Sequence, residues 1–468
     1  MADKISNRRE LVSHGDVESR KIVLDITENM LKKADAYVRI KAMMHRDGSI
    51  LHIGNQTWDL SKKRHIFLIG AGKACNAMAM AVEEILGDYL TKGIIIVKIS
   101  EDRACFTKTE VHIGGHPLPN ESGVKGCLRI LDLVDQSSAD DLFIAVMSGG
   151  STALMGCPVD GISLEDKILT TDIMLKSGCR VSEINSVRRH LSRMNGGRLG
   201  QRIDNKGADL IGITIYDAVG MPSTDDITIP VKLSGTPIGP DPSTFQDACK
   251  AIADYGLEQR LPPSVIQYLN MARPEDETPK CFERFTYYII NTVPDSCVYA
   301  KQAAESMGLR AMILTTYLEG DSKNMGTLMA GLAREIQETG NPIEAPCVIL
   351  SSGETTTLII DNKEIKGHGG PSHELVTSFA LSACHIPGAC MLSIDSEGTD
   401  GTTWAAGGIT DSTTFAAASF NGIDLVKSLR EHATGEALAA VGDQIITGNT
   451  GTNLCDFNIL YVPKRQKN

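Results

Sequence analysis

The sequence lacks the features that mark membrane, secreted and zinc-stabilised proteins. No uncharged apolar run approaches the roughly eighteen residues that a membrane span requires. The polar opening stretch, MADKISNRRELVSHGDVESRK, has no apolar core of the signal-peptide kind. The twelve cysteines are scattered without a C-x-x-C pair, and the eleven histidines form neither an H-E-x-x-H motif nor a Cys/His cluster. We therefore expect a reduced, cytoplasmic protein with no membrane partner and no structural zinc.

Positive charge and aromatic residues are also scarce. The chain has 46 Lys and Arg against 58 Asp and Glu, a formal net charge of −12, and 5% aromatic residues. No basic cluster interleaved with aromatics occurs, which argues against a nucleic-acid partner. The hydrophobic content of 42% is typical of a folded protein, and 468 residues suggest more than one domain. We expect a small-molecule substrate, and a homodimer remains open.

Short apolar runs alternate with helical patterns along the chain. A helical spacing of apolar residues at 16–44 predicts one or two leading helices. The runs HIFLIG, GIIIVKIS, DLFIAVMSGG and DLIGITIYDAV are typical of strands buried on both faces. Helical segments such as ESGVKGCLRILDLVDQ separate them, so the alternation predicts an α/β fold with parallel sheets and crossover helices.

A proline-rich stretch, RLPPSVIQYLNMARPEDETPKCFER, predicts a domain boundary. The strand and helix alternation resumes beyond it in FTYYIINTVPDSCVYAKQAAESMGL, RAMILTTYL, APCVILSSGETTTLII and ACMLSIDSEGTDG. We therefore predict two α/β domains, 1–265 and 281–468, with mainly parallel, Rossmann-like sheets. Pro, Gly, Ser, Thr and Asp crowd the stretch from Gly220 to Phe245, which predicts a long functional loop.

Five predicted strands end in small, polar, turn-forming residues. These ends are Gly70-Ala71-Gly72-Lys73, Ser148-Gly149-Gly150-Ser151-Thr152, Tyr216-Asp217, Ser351-Ser352-Gly353-Glu354 and Gly398-Thr399-Asp400-Gly401. Ligands of an open parallel sheet bind beyond the carboxyl ends of its strands. Successive glycines followed by Ser or Thr let backbone N–H groups converge on an anion. Three of the five ends carry a carboxylate, so the set indicates phosphate and magnesium chemistry.

The Gly70–Lys73 turn places a lysine where a strand passes into a helix. A helix N-terminus attracts anions, and Lys73 adds a full positive charge there. The spacing does not match a Walker loop, and the dinucleotide fingerprint would need a third glycine near Cys75. An anion seat and an ordinary tight connection both remain open.

Several candidate residues also have a purely structural interpretation. By pattern alone, Asp217 caps a helix or turn as readily as it performs chemistry, and Glu354 fits a hairpin. In KGHGGPSHEL, Ser372 fits a helix cap, and His368 and His373 fit ordinary surface histidines. The turns of TGNTGTNLCDFNILYV, which contain Asn453, fit strand caps.

Together these stretches resemble the type 2 glycerate kinase family, whose members carry a C-terminal MOFRL domain. The resemblance covers nearly the whole chain in the same order. It rests on IGAGKAC at 69–75, GGHPLPNESG at 114–123, MSGGSTAL at 147–154, EINSVRRHLSRMNGGRLG at 183–200, GPDPSTF at 239–245, GTDG at 398–401, AAGG at 405–408 and TGNTGTNLCD at 447–456.

The resemblance implies ATP- and Mg²⁺-dependent phosphorylation of D-glycerate to 2-phosphoglycerate, in a cleft between two α/β domains. The N-terminal domain would be of the glycerate kinase type and the C-terminal domain of the MOFRL type. Lys73 matches the active-site lysine of the family. Asp217 and Asp400 match its acidic residues at the strand end and in the Gly-Thr-Asp-Gly turn. Asp217 would accept the proton of the substrate hydroxyl or hold the metal.

The complete predicted site has four groups of residues. Lys73 and Asp217 are assigned to catalysis, and Asp217 and Asp400 to the metal. The residues assigned to substrate or phosphate binding are Gly70, Gly72, Ser148, Gly149, Gly150, Ser151, Thr152, Arg188, His368 and Glu374. The residues assigned to nucleotide binding are Glu354, Thr399, Asp400 and Asn453.

The chain departs from the family pattern where positive charge is expected. The family's G-R-G-G-R-N-Q-E becomes GHGGPSHE at 367–374, so His368 and Pro371 replace two arginines, and Asn195 replaces a lysine. A neutral imidazole and a proline suit hydroxyl or carbonyl groups better than a carboxylate. Three alternatives therefore stay open: a kinase for another small sugar or sugar acid, an NAD(P)H-dependent hydroxypyruvate reductase, and a ligand sensor with weakened catalysis.

Overall fold

Helices and strands alternate along the chain in the computed structural model, which describes residues 3–99, 105–220, 223–224, 235–359 and 365–465. The described helices are α1 (Arg8–Leu11), α2 (Val17–Ala34), α3 (Ala36–Met43), α4 (Cys75–Leu86), α5 (Glu121–Asp135), α6 (Ser151–Leu154), α7 (Leu164–Lys176), α8 (Val181–His190), α9 (Arg198–Asn205), α10 (Phe245–Asp254), α11 (Pro263–Asn270), α12 (Val293–Ser306), α13 (Ser322–Thr339), α14 (Pro371–Ala383), α15 (Thr414–Phe420), α16 (Leu425–Arg430) and α17 (Thr434–Val441).

The strands lie between these helices. They are β1 (Met44–Asp47), β2 (Ile50–Ile53), β3 (Gln56–Asp59), β4 (Ile66–Ala71), β5 (Lys92–Val97), β6 (Thr109–Ile113), β7 (Leu142–Met147), β8 (Asp209–Tyr216), β9 (Thr286–Thr292), β10 (Arg310–Asp321), β11 (Cys347–Thr356), β12 (Cys390–Asp395), β13 (Gly407–Asp411), β14 (Gln444–Ile445) and β15 (Asp456–Val462). The two leading helices predicted at 16–44 are confirmed as α2 and α3.

The chain forms two compact units. The parallel-sheet unit comprises Arg39–Ile215 and Asp225–Ile290, and the mixed-sheet unit comprises Met1–Val38, Tyr216–Thr224 and Asn291–Asn468. The first 38 residues thus belong with the C-terminal half of the chain, so neither unit is one continuous stretch of sequence. The domain limits 1–265 and 281–468 stay a prediction.

The parallel-sheet unit is built on a six-stranded sheet in the order β6-β5-β4-β7-β8-β9. The pairs from β6 to β8 are parallel, and every residue of β4 and β7 is buried. β4, β5, β7 and β8 are the predicted apolar runs, and helices lie between β4 and β5, between β6 and β7, and between β7 and β8. The predicted parallel α/β architecture is confirmed for this unit. A small antiparallel sheet of β1, β2 and β3 accompanies it.

The mixed-sheet unit has the strand order β10-β11-β15-β12-β13-β14. β10 and β11 are parallel, whereas the other four pairs are antiparallel. The prediction of a mainly parallel sheet is therefore wrong here. β12 returns to β13 through the turns of residues 396–406, without a crossover helix, and β15 inserts between β11 and β12 from the end of the chain. A buried strand has the same apolar pattern in either direction, so the pattern alone does not reveal this.

A buried arginine attaches the leading helix to the mixed sheet. Arg20 of α2 is fully buried, and it pairs with Asp411 at the end of β13 and, at 2.6 Å, with Asp443. Burial opposes ionisation of Asp411, but the charge of Arg20 and the hydrogen bonds from Thr413, Arg20 and Asp16 together outweigh it and lower the pKa of that carboxyl. This ion-pair network explains why the N-terminal segment belongs to the C-terminal unit.

We expect Arg20→Met to destabilise the mixed-sheet unit by about 3–5 kcal/mol, because it leaves two buried carboxylates without their cation. Urea unfolding followed by circular dichroism measures the change. Lys21→Met is the matched control, since Lys21 is exposed on the same helix and pairs only with exposed Glu18 among the described residues. Equal midpoints for the two variants would contradict a structural role for Arg20.

Two general features complete the fold. Within the ranges given above, none of the helices combines the length and apolarity needed to cross a membrane. All twelve cysteines are free thiols, and seven of them are buried. The seven buried cysteines act as small core residues.

Candidate active site

The Gly70–Lys73 turn and the Ser148–Thr152 turn meet at the ends of adjacent strands, β4 and β7. Gly72 has a φ of +141°, and a Cβ there would lie 2.0 Å from the Oγ of Ser148. At Gly70, a Cβ would lie 2.7 Å from the carbonyl oxygen of Val146. Both glycines are therefore required for close approach of the two turns.

The backbone of Lys73 lies in this contact. Its N–H donates to the carbonyl oxygen of Gly149 at 2.9 Å. A Cβ on Gly150, whose φ is +85°, would lie 3.3 Å from Lys73 Cγ and 3.0 Å from His116 Cδ2. The half-buried lysine side chain therefore runs past Gly150 beside the imidazole of His116. The sequence reasoning did not select His116, although it lies in the GGHPLPNESG stretch that carries the resemblance.

Arg188 and Asn195 border the same region. The Nη2 of half-buried Arg188 lies 3.5 Å from the carbonyl oxygen of Pro117, the residue after His116. Burial, and then the charge of Arg189, lower the pKa of Arg188 to about 10. Its cation therefore lacks full compensation, which favours an anionic ligand.

Asn195 holds the Ser148–Thr152 turn and the residues after it through side-chain hydrogen bonds to their backbone. Its Nδ2 donates to the carbonyl oxygens of Thr152 at 3.0 Å and Met155 at 3.3 Å, and the residue is buried. These bonds tie α6, which begins at Ser151, to the segment before α9. The family lysine is thus replaced here by a residue that binds backbone.

Asp217 lies in the mixed-sheet unit, just beyond the end of β8. Its Oδ2 accepts a hydrogen bond of 2.8 Å from Asn453 Nδ2, and its carbonyl oxygen accepts one from Cys455 Sγ. Asn453 is buried, so it orients the carboxylate of Asp217. The structure therefore brings together two predicted site residues that are 236 positions apart in the chain.

Five carboxylates form an acidic cluster around the carboxyl end of β11. Its members are Asp217, Glu354, Asp395, Asp400 and Asp456. Gly353, Asp456 and Asp395 are direct neighbours across β11, β15 and β12. Burial, followed by the charges of Asp395 and Asp400, raises the pKa of Asp456 well above its usual range. Burial and then Asp217 and Glu354 likewise raise the pKa of Cys455. Such crowding of negative charge favours a bound cation.

Asp400 holds the start of α14. It is buried and accepts hydrogen bonds from the N–H groups of Ser372 (3.2 Å) and His373 (2.9 Å), and it contacts His373 Nδ1. Two of the structural interpretations of this stretch are wrong, because Gly370 rather than Ser372 is the N-cap and His373 is buried. His368 is exposed, and its N–H donates to Glu436. A role for Asp400 as a ligand stays a prediction.

The remaining predicted residues also lie in the mixed-sheet unit. Glu374 is buried, its Oε1 accepts from His432 Nδ1 at 2.7 Å, and burial raises the pKa of its carboxyl. Thr399 donates to Glu397 at 3.0 Å.

In the predicted Gly220–Phe245 loop, residues 221–222 and 225–234 lie outside the described part. Ser223 and Thr224 both bond to Asp295.

The predicted site residues therefore form two groups. Lys73, Arg188 and the two glycine turns lie together in the parallel-sheet unit. Asp217, Glu354, Asp400, Asn453, Thr399, His368 and Glu374 lie in the mixed-sheet unit. Among the residues described, no group of three or more His, Cys, Asp or Glu side chains is arranged to hold a metal by itself.

Comparison with known proteins agrees with these motifs. Residues 22–270 match the family DUF4147, a domain of unknown function, and residues 347–456 match the MOFRL family. A glycerate 2-kinase of Pyrococcus horikoshii is 34% identical over 96% of this chain and 99% of its own length. A putative hydroxypyruvate reductase of Agrobacterium vitis is 33% identical over 84% of this chain and 86% of its own length.

A solved structure gives the same result. The crystal structure of glycerate kinase from Thermotoga maritima matches with a TM-score of 0.76 and 30% identity, covering 94% of this chain and 99% of that one. The similarity extends through both units, and the predicted resemblance is confirmed. The chain belongs to the glycerate 2-kinase family of small-molecule kinases, with a DUF4147 region followed by a MOFRL region.

Proposed function

We propose that this protein transfers the γ-phosphoryl group of ATP to D-glycerate and forms 2-phosphoglycerate. The observation that carries the proposal is the junction of the two glycine turns around Lys73. There, close-packed backbone at the ends of parallel strands lies beside the cations of Lys73 and Arg188. Phosphoryl transfer depends mainly on positioning and on neutralising charge, and this region supplies both.

The acidic cluster fits Mg²⁺ by its chemistry. Carboxylate oxygens are the ligands that this ion prefers, and the charges of Asp395 and Asp400 add to burial in raising the pKa of Asp456. Because Mg²⁺ is usually held by one or two carboxylates together with phosphate oxygens and water, a cage of three protein ligands is not needed. Asp217 and Asp400 would hold the ion, which when bound neutralises charge on the transferred phosphate.

Asp217 also suits the role of base. Its carboxylate is held by Asn453, so it keeps one orientation while it accepts the proton of the substrate hydroxyl. Lys73 binds the negatively charged phosphate oxygens through its ammonium group. Glu354, Thr399 and Asn453 are the proposed nucleotide contacts, and Arg188, His368 and Glu374 the proposed substrate contacts.

The test is a coupled assay of ADP release with D-glycerate, ATP and Mg²⁺, combined with ³¹P NMR of the product. We expect turnover and the phosphorus signal of 2-phosphoglycerate. A signal of 3-phosphoglycerate would overturn the assigned product. Absence of turnover across D-glycerate, sugar acids and polyols would overturn the kinase and favour a ligand sensor.

A reductase is the second candidate because some relatives carry that name. The third glycine of the dinucleotide fingerprint is absent, and buried Cys75 stands near its expected place. NADH or NADPH oxidation with hydroxypyruvate is measured in parallel. We expect no change in absorbance.

We also propose a cytoplasmic location, which the free thiols support. A homodimer stays a prediction.

Replacing His368 by arginine tests whether the 367–374 loop sets substrate preference. The side chain is exposed, so an arginine fits without repacking and restores a guanidinium that can bind a carboxylate. We expect the ratio of kcat/KM for D-glycerate to that for glycerol to rise about 10- to 150-fold, which corresponds to the roughly 1.5–3 kcal/mol of a charged hydrogen bond. The exposed His385→Arg serves as control, and an unchanged ratio in H368R would show that the loop does not discriminate.

A further inference from the structure

A second basic site lies on the outer face of α9 in the parallel-sheet unit. It is a surface cavity of about 690 Å³, within the size range of small-molecule sites. Four cationic side chains line it together with Tyr268 and Asp160: Arg193, Arg198, Arg202 and Lys206. None of the lining residues belongs to the two glycine turns around Lys73.

Three of the cations form a row along the helix. Arg198, Arg202 and Lys206 are spaced by four residues, so they share one face and span about 12 Å. Like charges at this spacing repel each other and destabilise a helix. An anion bound across the row would attract each of the three cations and so offset their mutual repulsion.

The protein itself compensates only part of this charge. Arg202 pairs with Asp135 at 2.5 Å, and Lys206 donates to the carbonyl oxygen of Asp135. Arg193 has a long contact of 3.9 Å with Asp160, whose side chain is 99% exposed. The cavity lining itself holds four cations and one carboxylate, Asp160, while Asp132 and Asp276 also act on Arg202 and Arg198 from nearby.

Arg198 is the best-prepared donor in the cavity. Its Nη2 donates to the carbonyl oxygen of Asp276 at 2.8 Å, which fixes the guanidinium. Its Nε is buried and has no hydrogen-bond acceptor in the part of the chain that the structure describes. The guanidinium is therefore held in one place at the wall of the cavity, where Arg198 is a lining residue.

We propose that this cavity binds a small molecule with two or more phosphate or carboxylate groups, separately from the site at Lys73. Several anionic groups are needed because the cations are spread over about 12 Å. Arginine suits both groups, since its planar fork bonds two oxygens at once. A neighbouring cavity of about 610 Å³ shares Tyr268 and Asp160 and offers room for an uncharged portion of the ligand.

Isothermal titration with inorganic pyrophosphate and, separately, with citrate tests the proposal. The starting protein is the Lys73→Ala variant, which lacks the ammonium of the glycine-turn site. We expect it to bind one of the two anions at this cavity. Arg193→Gln, added to that variant, should weaken the binding at least about tenfold, the factor that 1.4 kcal/mol represents. Pyrophosphate binding identifies a phosphate ligand, and citrate binding a carboxylate ligand.

Two controls make the result specific. Arg193→Lys keeps the charge but loses the planar fork, so its affinity should lie between those of the parent and of Arg193→Gln, which a general loss of structure would not give. Arg129→Gln removes an arginine of the same unit that pairs with Glu110, and should leave binding unchanged. Equal affinity with and without Arg193→Gln, or no binding of either anion to Lys73→Ala, would overturn the proposal.

Discussion

Replacing Lys73 by alanine is expected to abolish phosphoryl transfer, with kcat reduced at least about 100- to 1,000-fold. The backbone contact of Lys73 with Gly149 stays available to alanine, so the variant should fold normally. What it loses is the ammonium group of the side chain whose Cγ lies near Gly150, and we assign that group to the phosphate oxygens. ADP release in the coupled assay measures the effect, and the unfolding midpoint verifies the fold.

Lys92→Ala is the matched control for this prediction. Lys92 lies in the same unit at the start of β5, where it pairs with Glu110 at 3.5 Å, and its removal should leave kcat unchanged. If Lys73→Ala kept the activity of Lys92→Ala, the assignment of the glycine turns as the phosphate site would be wrong.

Replacing Asp217 by asparagine is expected to lower kcat about 10²- to 10⁴-fold, the usual effect of losing a general base. The change is isosteric, and the amide oxygen can still accept the hydrogen bond from Asn453. Stability should therefore remain near that of the unmodified protein. The loss of activity reports the missing proton acceptor or metal ligand rather than a change in fold.

A Mg²⁺ titration and a control variant separate the roles of Asp217. Asp209→Asn changes a carboxylate at the opposite end of β8, paired with Lys63, and should leave kcat intact. If Asp217 holds Mg²⁺, raising the Mg²⁺ concentration should restore part of the activity of Asp217→Asn. If it is the base alone, the loss should persist at every Mg²⁺ concentration. Full activity of Asp217→Asn at ordinary Mg²⁺ would exclude both roles.

Local information in the sequence was sufficient for four strands of the parallel-sheet unit. The apolar runs that become β4, β5, β7 and β8 are buried on both faces, and the helices between them require parallel pairing. Because these strands are parallel, their carboxyl ends lie at the same edge of the sheet. The meeting of Lys73 with the Ser148–Thr152 turn was therefore predictable. The expected function came from the motifs that resemble the glycerate kinase family.

The tertiary structure alone decided the mixed-sheet unit. Strand direction there depends on how β15 inserts from the end of the chain, and apolar pattern carries no information about direction. The burial of His373 and the bonds that Asp400 makes to α14 follow from that packing. Arg20 likewise joins α2 to Asp411 and Asp443, which are 391 and 423 positions away and which only the folded chain brings close.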